Sequence, residues 1–130
     1  MIRCAFVASL QLVSLPLLAC GFANGERVAP GDDLMLHYRI KSPPLTVAQH
    51  FSMQFLLCRD ATTLAIEDFK LDASMPVHGH GMNYKASINW LDNGLVEASG
   101  MLFHMPGQWR VTVNLSYDGV ARQTQLDFEI

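Results

Sequence analysis

Apolar and polar residues alternate along most of the chain after residue 23, which is the pattern of half-buried β-strands. In residues 109–117 one face would carry Trp109, Val111, Val113, Leu115 and Tyr117. Similar runs predict strands at residues 34–40, 51–58, 66–73, 84–91, 95–103 and 120–130. No convincing helical stretch follows residue 23. About seven antiparallel strands in a domain of about 100 residues predict an all-β fold, an immunoglobulin-like β-sandwich.

The segments between these runs are predicted to be irregular. Residues 24–32 are polar and contain Gly and Pro, so we expect a short tether there. Residues 59–63 are predicted to turn, and residues 75–82 to form a loop rich in Gly and His. The Pro-Gly pair within residues 104–107 favours a further turn. The domain organisation expected is therefore a signal segment, residues 1–23, followed by one β-sandwich domain, residues 24–130.

The first 23 residues have the pattern of an export signal. Arg3 supplies a positive charge, and residues 4–18 are uncharged and mostly apolar. A run of that length is shorter than the about 20 residues that span a bilayer. Two processing alternatives follow. The Leu-Leu-Ala-Cys sequence at residues 17–20 resembles a bacterial lipobox, in which Cys20 would carry a lipid anchor. Alternatively, signal peptidase would cut after Ala23. An uncleaved membrane anchor is a third interpretation, and each implies an exported, periplasmic protein.

The role of Cys58 depends on this processing. A lipid on Cys20, or cleavage after Ala23, would leave Cys58 without a partner in the chain. If Cys20 is retained without lipid, a Cys20–Cys58 disulfide is possible in an oxidising compartment. Cys58 lies in an apolar run, so we interpret it as a small buried apolar residue and not as a reactive thiol or a ligand.

Charge and motif content argue against several classes of function. Only 16% of residues are charged and the net charge is −3. A nucleic-acid-binding protein should show a basic patch or stripe, and this weakly acidic chain does not suggest one. We therefore expect no nucleic-acid partner. The sequence contains no glycine-rich phosphate loop, no Gly-x-Ser-x-Gly motif and no pair of carboxylates in matched surroundings. We therefore expect a protein that is not an enzyme.

Two short segments, residues 75–82 and 101–107, concentrate histidine and methionine. Imidazole suits several transition metals, but thioether sulfur is a soft ligand that selects Cu(I), so the mixture favours copper over zinc. His78, His80 and Met82 alternate along the chain and would project to one side of an extended segment. His104 or Met105 could complete the coordination. The candidate metal ligands are His78, His80, Met82, His104 and Met105.

A purely structural interpretation of the same residues stays open. The glycines of residues 75–82 would permit a tight loop. The methionines Met75, Met82 and Met101 could fill irregular gaps at one end of the core. The histidines could bond to loop carbonyl groups. We expect His37 and His50 to lie away from both segments, as surface or rim residues.

The two segments together resemble a known family. Met75-Pro76-x-His78-Gly79-His80-Gly81-Met82, followed by Phe103-x-Met105-Pro106-Gly107-x-Trp109, is similar to the YtkA/FixH-like group of bacterial exported or membrane-anchored domains. The resemblance covers about residues 51–115. It implies a small β-sandwich associated with copper handling or cytochrome oxidase assembly, and a copper role for His80, Met82 and Met105. His78 stands where many members of the group have another residue.

Two hypotheses about function follow. The first is a periplasmic protein that binds Cu(I) or Cu(II) and delivers it by ligand exchange to a copper-handling or oxidase-assembly partner of the cell envelope. A lipid on Cys20 would tie such a protein to the membrane. The second is an immunoglobulin-like interaction or scaffold domain of an envelope complex, in which the histidine-rich loops have a structural role only.

Overall fold

A computed structural model of the chain describes residues 19–130. Most of the predicted signal segment, residues 1–18, lies outside the described residues. Among residues 19–130, no helix has the length and apolar character needed to span a membrane.

Ten strands and one short 3-10 helix, Asp92–Gly94, make up the regular structure within the described residues. The strands are β1 (Glu26–Gly31), β2 (Leu34–Ile40), β3 (His50–Arg59), β4 (Thr62–Leu64), β5 (Asp68–Met75), β6 (His80–Gly81), β7 (Ser87–Trp90), β8 (Val96–Leu102), β9 (Gln108–Tyr117) and β10 (Val120–Glu129). The first sheet has the order β1-β2-β3-β8-β7, with β4 also paired to β3, and the second has the order β10-β9-β5-β6. Neighbouring strands are antiparallel throughout.

This arrangement confirms the predicted all-β sandwich. Each of the seven predicted strands is present, with bounds shifted by a few residues. Three strands were missed. The expected tether at residues 24–32 contains β1, the expected turn at residues 59–63 is the tight connection between β3 and β4, and the expected loop at residues 75–82 contains β6. The turn at residues 59–63 is present as expected, whereas the expectations of a tether at residues 24–32 and of an open loop at residues 75–82 were wrong. The three strands were missed because β4 and β6 are too short to show a period and β1 is a largely exposed edge strand.

The core lies between the two sheets and follows the predicted alternation. In β9, Trp109, Val111, Val113 and Leu115 are at most 3% exposed. From the first sheet, Leu36 of β2 and Phe55 of β3 are fully buried opposite them. Burial of each such side chain contributes about 1.5–3 kcal/mol. The indole of Trp109 stacks on Phe103 with ring centroids 4.7 Å apart, which fixes the end of the core next to residues 103–107.

Residues 20–22 pack on the outer face of the first sheet and are joined to it covalently. Cys58 is fully buried, as predicted, and forms a disulfide with Cys20, with the two Cα atoms 5.9 Å apart. This pairing is one of the alternatives that the sequence left open. It uses the sulfur atom of Cys20 to which a lipid would be attached.

Two connections between the sheets meet at one end of the sandwich. Ser74, near the end of β5, pairs with Arg110, near the start of β9. Residues 82–86 lead from β6 to β7, and residues 103–107 lead from β8 to β9. Both histidine- and methionine-rich segments therefore lie at this end, which we call the loop end.

Candidate metal centre

The first of the two segments is a tight hairpin and not an open loop. Met75 pairs with His80 across β5 and β6. The backbone N–H groups of His78 and Gly79 both donate to the Met75 carbonyl oxygen, at 3.2 and 2.9 Å. Gly79 has a φ of +65°, in the left-handed region that glycine adopts without steric cost. The turn therefore places residues 76–79 at an exposed tip.

His78 and His80 are brought together at this tip. Both side chains are exposed, and their ring centroids lie 6.2 Å apart. Metal–nitrogen bonds of about 2.0–2.1 Å place two imidazoles on one ion with centroids about 5–6 Å apart. The observed separation is close to that range. His78 belongs to the turn, so the pairing arises from the hairpin and not from the extended segment that the alternation predicted.

Met82 follows the hairpin and is held by contacts with both sheets. Its backbone N–H donates to the Ala73 carbonyl oxygen at 2.9 Å. Its side chain is half-buried against the core, and its Sδ accepts a hydrogen bond from the Leu102 N–H at 3.5 Å. This contact orients the thioether and uses only one of its lone pairs.

The second segment folds around the indole of Trp109. The indole N–H donates to the Met105 carbonyl oxygen at 3.0 Å, and the side chain is fully buried. The bend at residues 105–107 is closed by Gly107, which exchanges backbone hydrogen bonds with Ile130 at 3.0 and 3.1 Å. The half-buried Met105 side chain packs against the core.

His104 is half-buried and has a nitrogen atom without a partner. Its ring lies edge-on to Trp109 with centroids 5.4 Å apart. Its Nδ1 is buried and has no hydrogen-bond partner among the described residues. Buried polar atoms are normally satisfied, so an atom like this one calls for a partner from outside the chain, such as a water molecule or an ion.

The two segments touch each other at two points. The Met82 sulfur accepts a hydrogen bond from the N–H of Leu102, the last residue of β8 and part of the second segment. At the other point, a Cβ on Gly107 would lie 2.9 Å from the Met75 Cε. His104 and Met105 lie between these contacts along the chain. Within residues 19–130, however, no three or more His, Cys, Asp or Glu side chains gather as a possible metal site. The three histidines thus do not form a ready cluster among the described residues.

His50 also lies at the loop end, contrary to the expectation that it is remote. It pairs with Leu102 across β3 and β8, and its exposed ring contacts Tyr84 with centroids 5.0 Å apart. Only the pairing of β3 with β8, which sequence spacing does not show, could have placed it there. His37 is remote as expected, since it pairs with Arg27 and Leu56 and packs beside Gly21.

Arg110, the cationic side chain of β9 at the loop end, is paired with a carboxylate. Arg110 donates through Nε and Nη2 to the two carboxylate oxygens of Asp127, at 2.8 and 3.0 Å. This hydrogen bonding lowers the pKa of the Asp127 carboxyl below its ordinary value. The pair therefore leaves little net positive charge at Arg110 to repel a cation bound at the loop end.

The fold and this end of the molecule define a small antiparallel β-sandwich domain. A DUF4426 family protein of Pseudomonas aeruginosa PAO1 is similar, with a TM-score of 0.61, 11% identity, and coverage of 84% of this chain and 96% of that one. A DUF4785 family protein of Legionella pneumophila has a TM-score of 0.57 and 14% identity over 75% of this chain, which spans 29% of that protein. These likenesses establish the fold alone. No family model matches the chain, and no curated protein matches it.

Proposed function

We propose that this chain is an exported, periplasmic copper-binding protein that holds copper as cargo and passes it to a copper-handling or oxidase-assembly partner in the cell envelope. Its ligands come from the set His78, His80, Met82, His104 and Met105. Copper would be held near the surface and exchanged between these ligands and those of the partner.

The observation that carries the proposal is the exposed imidazole pair of His78 and His80, whose ring centroids lie 6.2 Å apart. The thioether of Met82, two residues after His80 in the chain, is oriented by the Leu102 N–H. A site that combines imidazole with thioether sulfur favours copper, and thioether in particular favours Cu(I). The resemblance of both segments to the YtkA/FixH-like group adds support, because that group is associated with copper handling.

A second candidate is an interaction domain that binds no metal. Met75 and Met101 are fully buried, so at least these two methionines serve packing. On the edge strand of the first sheet, Trp90 is 53% exposed, and the neighbouring Leu91 is 44% exposed. Large apolar side chains at an exposed strand edge suit a protein contact.

Titration with Cu(I) in competition with a chelator separates the two candidates. The purified protein is expected to hold one Cu(I), and His80→Ala and Met82→Leu are each expected to weaken the affinity at least tenfold. Met82→Leu removes the sulfur but conserves the volume, so packing is retained. Met35→Leu is the matched control, because Met35 is a half-buried methionine at the end of β2 that lies away from the loop end.

Binding no tighter than that of scattered surface groups would contradict the copper proposal. So would an affinity that is unchanged in both His80→Ala and Met82→Leu. Either result would leave the interaction domain as the better candidate.

A further inference from the structure

We propose that Cys20 is a structural cysteine of the folded domain, bonded to Cys58, and that it carries no lipid. A lipid anchor and a disulfide both need the Sγ atom of Cys20, so one excludes the other. The processing of the exported chain must then retain Cys20, since cleavage after Ala23 would remove it.

The backbone around Cys20 is held by the hairpin of β3 and β4. The Cys20 N–H donates to the Ala61 carbonyl oxygen at 3.2 Å. The Thr63 hydroxyl donates to the Cys20 sulfur at 3.1 Å. A lipid-bearing cysteine at the free end of a tether would have no need of either contact.

The residues after Cys20 also pack specifically on the outer face of the first sheet. The guanidinium of Arg39 lies over the Phe22 ring, 4.5 Å from its centroid. The same guanidinium donates through Nε and Nη2 to the Gln54 side-chain oxygen, at 2.9 and 2.7 Å. The hydrogen bonds to Gln54 thus hold the Arg39 guanidinium over the Phe22 ring, where it makes a cation–π contact.

Two glycines permit this close approach. A Cβ on Gly21, whose φ is +128°, would lie 2.7 Å from His37 Nδ1. A Cβ on Gly25 would lie 2.9 Å from the Tyr38 carbonyl oxygen. A side chain at either position would clash with β2 unless the segment or the contacting group shifted. The glycines are independent of the disulfide and fit the same docked position of the segment.

The burial of Cys58 completes the inference. Cys58 is fully buried although it lies on the outer face of β3, opposite the core-facing Leu57. The docked segment supplies its cover and its partner. Removal of residues 20–23 would uncover this apolar position.

Formation of the bond needs an oxidant, which we take to be a thiol–disulfide oxidoreductase of the exported compartment. The thiolate of one cysteine attacks the oxidant's disulfide and gives a mixed disulfide. The thiolate of the other cysteine then displaces the oxidant. Cys20 and Cys58 together lose two electrons and two protons, and the oxidant's disulfide is reduced to two thiols.

Intact mass spectrometry and peptide mapping of the protein isolated from a bacterial envelope test the proposal. The full chain is expressed, isolated without reductant, and treated with a thiol alkylating reagent before and after reduction. Cys20 and Cys58 are expected to resist alkylation before reduction and to gain one adduct each afterwards. A peptide that links the two cysteines is expected in the unreduced digest.

The Cys20→Ser variant provides a second measurement that does not depend on the yield of folded protein. A lipobox requires its cysteine, so a lipoprotein would accumulate as the unprocessed precursor in this variant. We expect processing to be unchanged instead. A diacylglycerol-sized mass on Cys20, a mature chain that begins after Cys20, or precursor accumulation in Cys20→Ser would each overturn the proposal.

Discussion

Loss of the Cys20–Cys58 disulfide should lower the stability of the domain by about 4 kcal/mol. The two cysteines are 38 residues apart, and the loop-closure entropy that a crosslink of this span removes from the unfolded chain corresponds to about 4 kcal/mol at 25 °C. Domains are typically stable by about 5–15 kcal/mol, so the bond would supply a large share. The Cys20→Ala variant tests this without opening a cavity at the buried Cys58.

Urea unfolding followed by circular dichroism measures the effect. With a slope of about 1–3 kcal/mol per molar urea, a loss of about 4 kcal/mol lowers the midpoint by roughly 1–4 M. Wild-type protein treated with reductant should unfold at the midpoint of Cys20→Ala, and reductant should not shift that variant further. Equal midpoints for oxidised wild type, reduced wild type and Cys20→Ala would refute the reasoning.

Three further changes test local contacts. The Gln54 amide donates to the Glu97 carboxylate and lowers the pKa of that carboxyl below its ordinary 4.5. The ionised Glu97 carboxylate therefore stabilises the folded protein above pH 4.5, and this contribution is lost as the pH falls through its lowered pKa. In Glu97→Gln, the Tm should therefore fall less steeply as the pH is lowered. Trp109→Phe removes the donor to the Met105 carbonyl oxygen, which should cost about 1–3 kcal/mol in urea unfolding, whereas an unchanged midpoint would contradict that role. Gly107→Ala forces a side chain into a φ of +127° and should cost about 1–3 kcal/mol in the same assay, so a neutral result would show that the bend relaxes.

The strands that sequence predicts well are those that contribute to the core. Residues 109–117 alternate because one face of β9 is buried from Trp109 to Leu115 and half-buried at Tyr117. β1 has no such signal, since it is an edge strand whose residues are exposed or half-buried. β6 is two residues long and exists only because β5 lies beside it. Such strands depend on their partners and not on their own pattern.

In the candidate site too, local features could be predicted from the sequence and features that depend on strand pairing could not. The pairing of His78 with His80 is local, so spacing could suggest it. The position of His50 depends on the register of β3 with β8, which joins residues about 50 apart in the chain. The choice between lipid and disulfide at Cys20 depends on whether the segment docks beside Cys58, which is a property of the folded sheet.

The methionines offer the sharpest distinction between a copper site and a packed end of the core. Of the four methionines in the two segments, Met75 and Met101 are fully buried, so the thioethers near enough to the surface to meet an ion are those of Met82 and Met105. The Leu102 N–H fixes the Met82 sulfur and leaves it one lone pair for a soft metal. If Met82 only fills space, Met82→Leu should cost less than about 1.5 kcal/mol and change nothing else. If it is a ligand, the same variant should keep that stability and lose Cu(I) affinity, so stability and affinity measured together decide between the two roles.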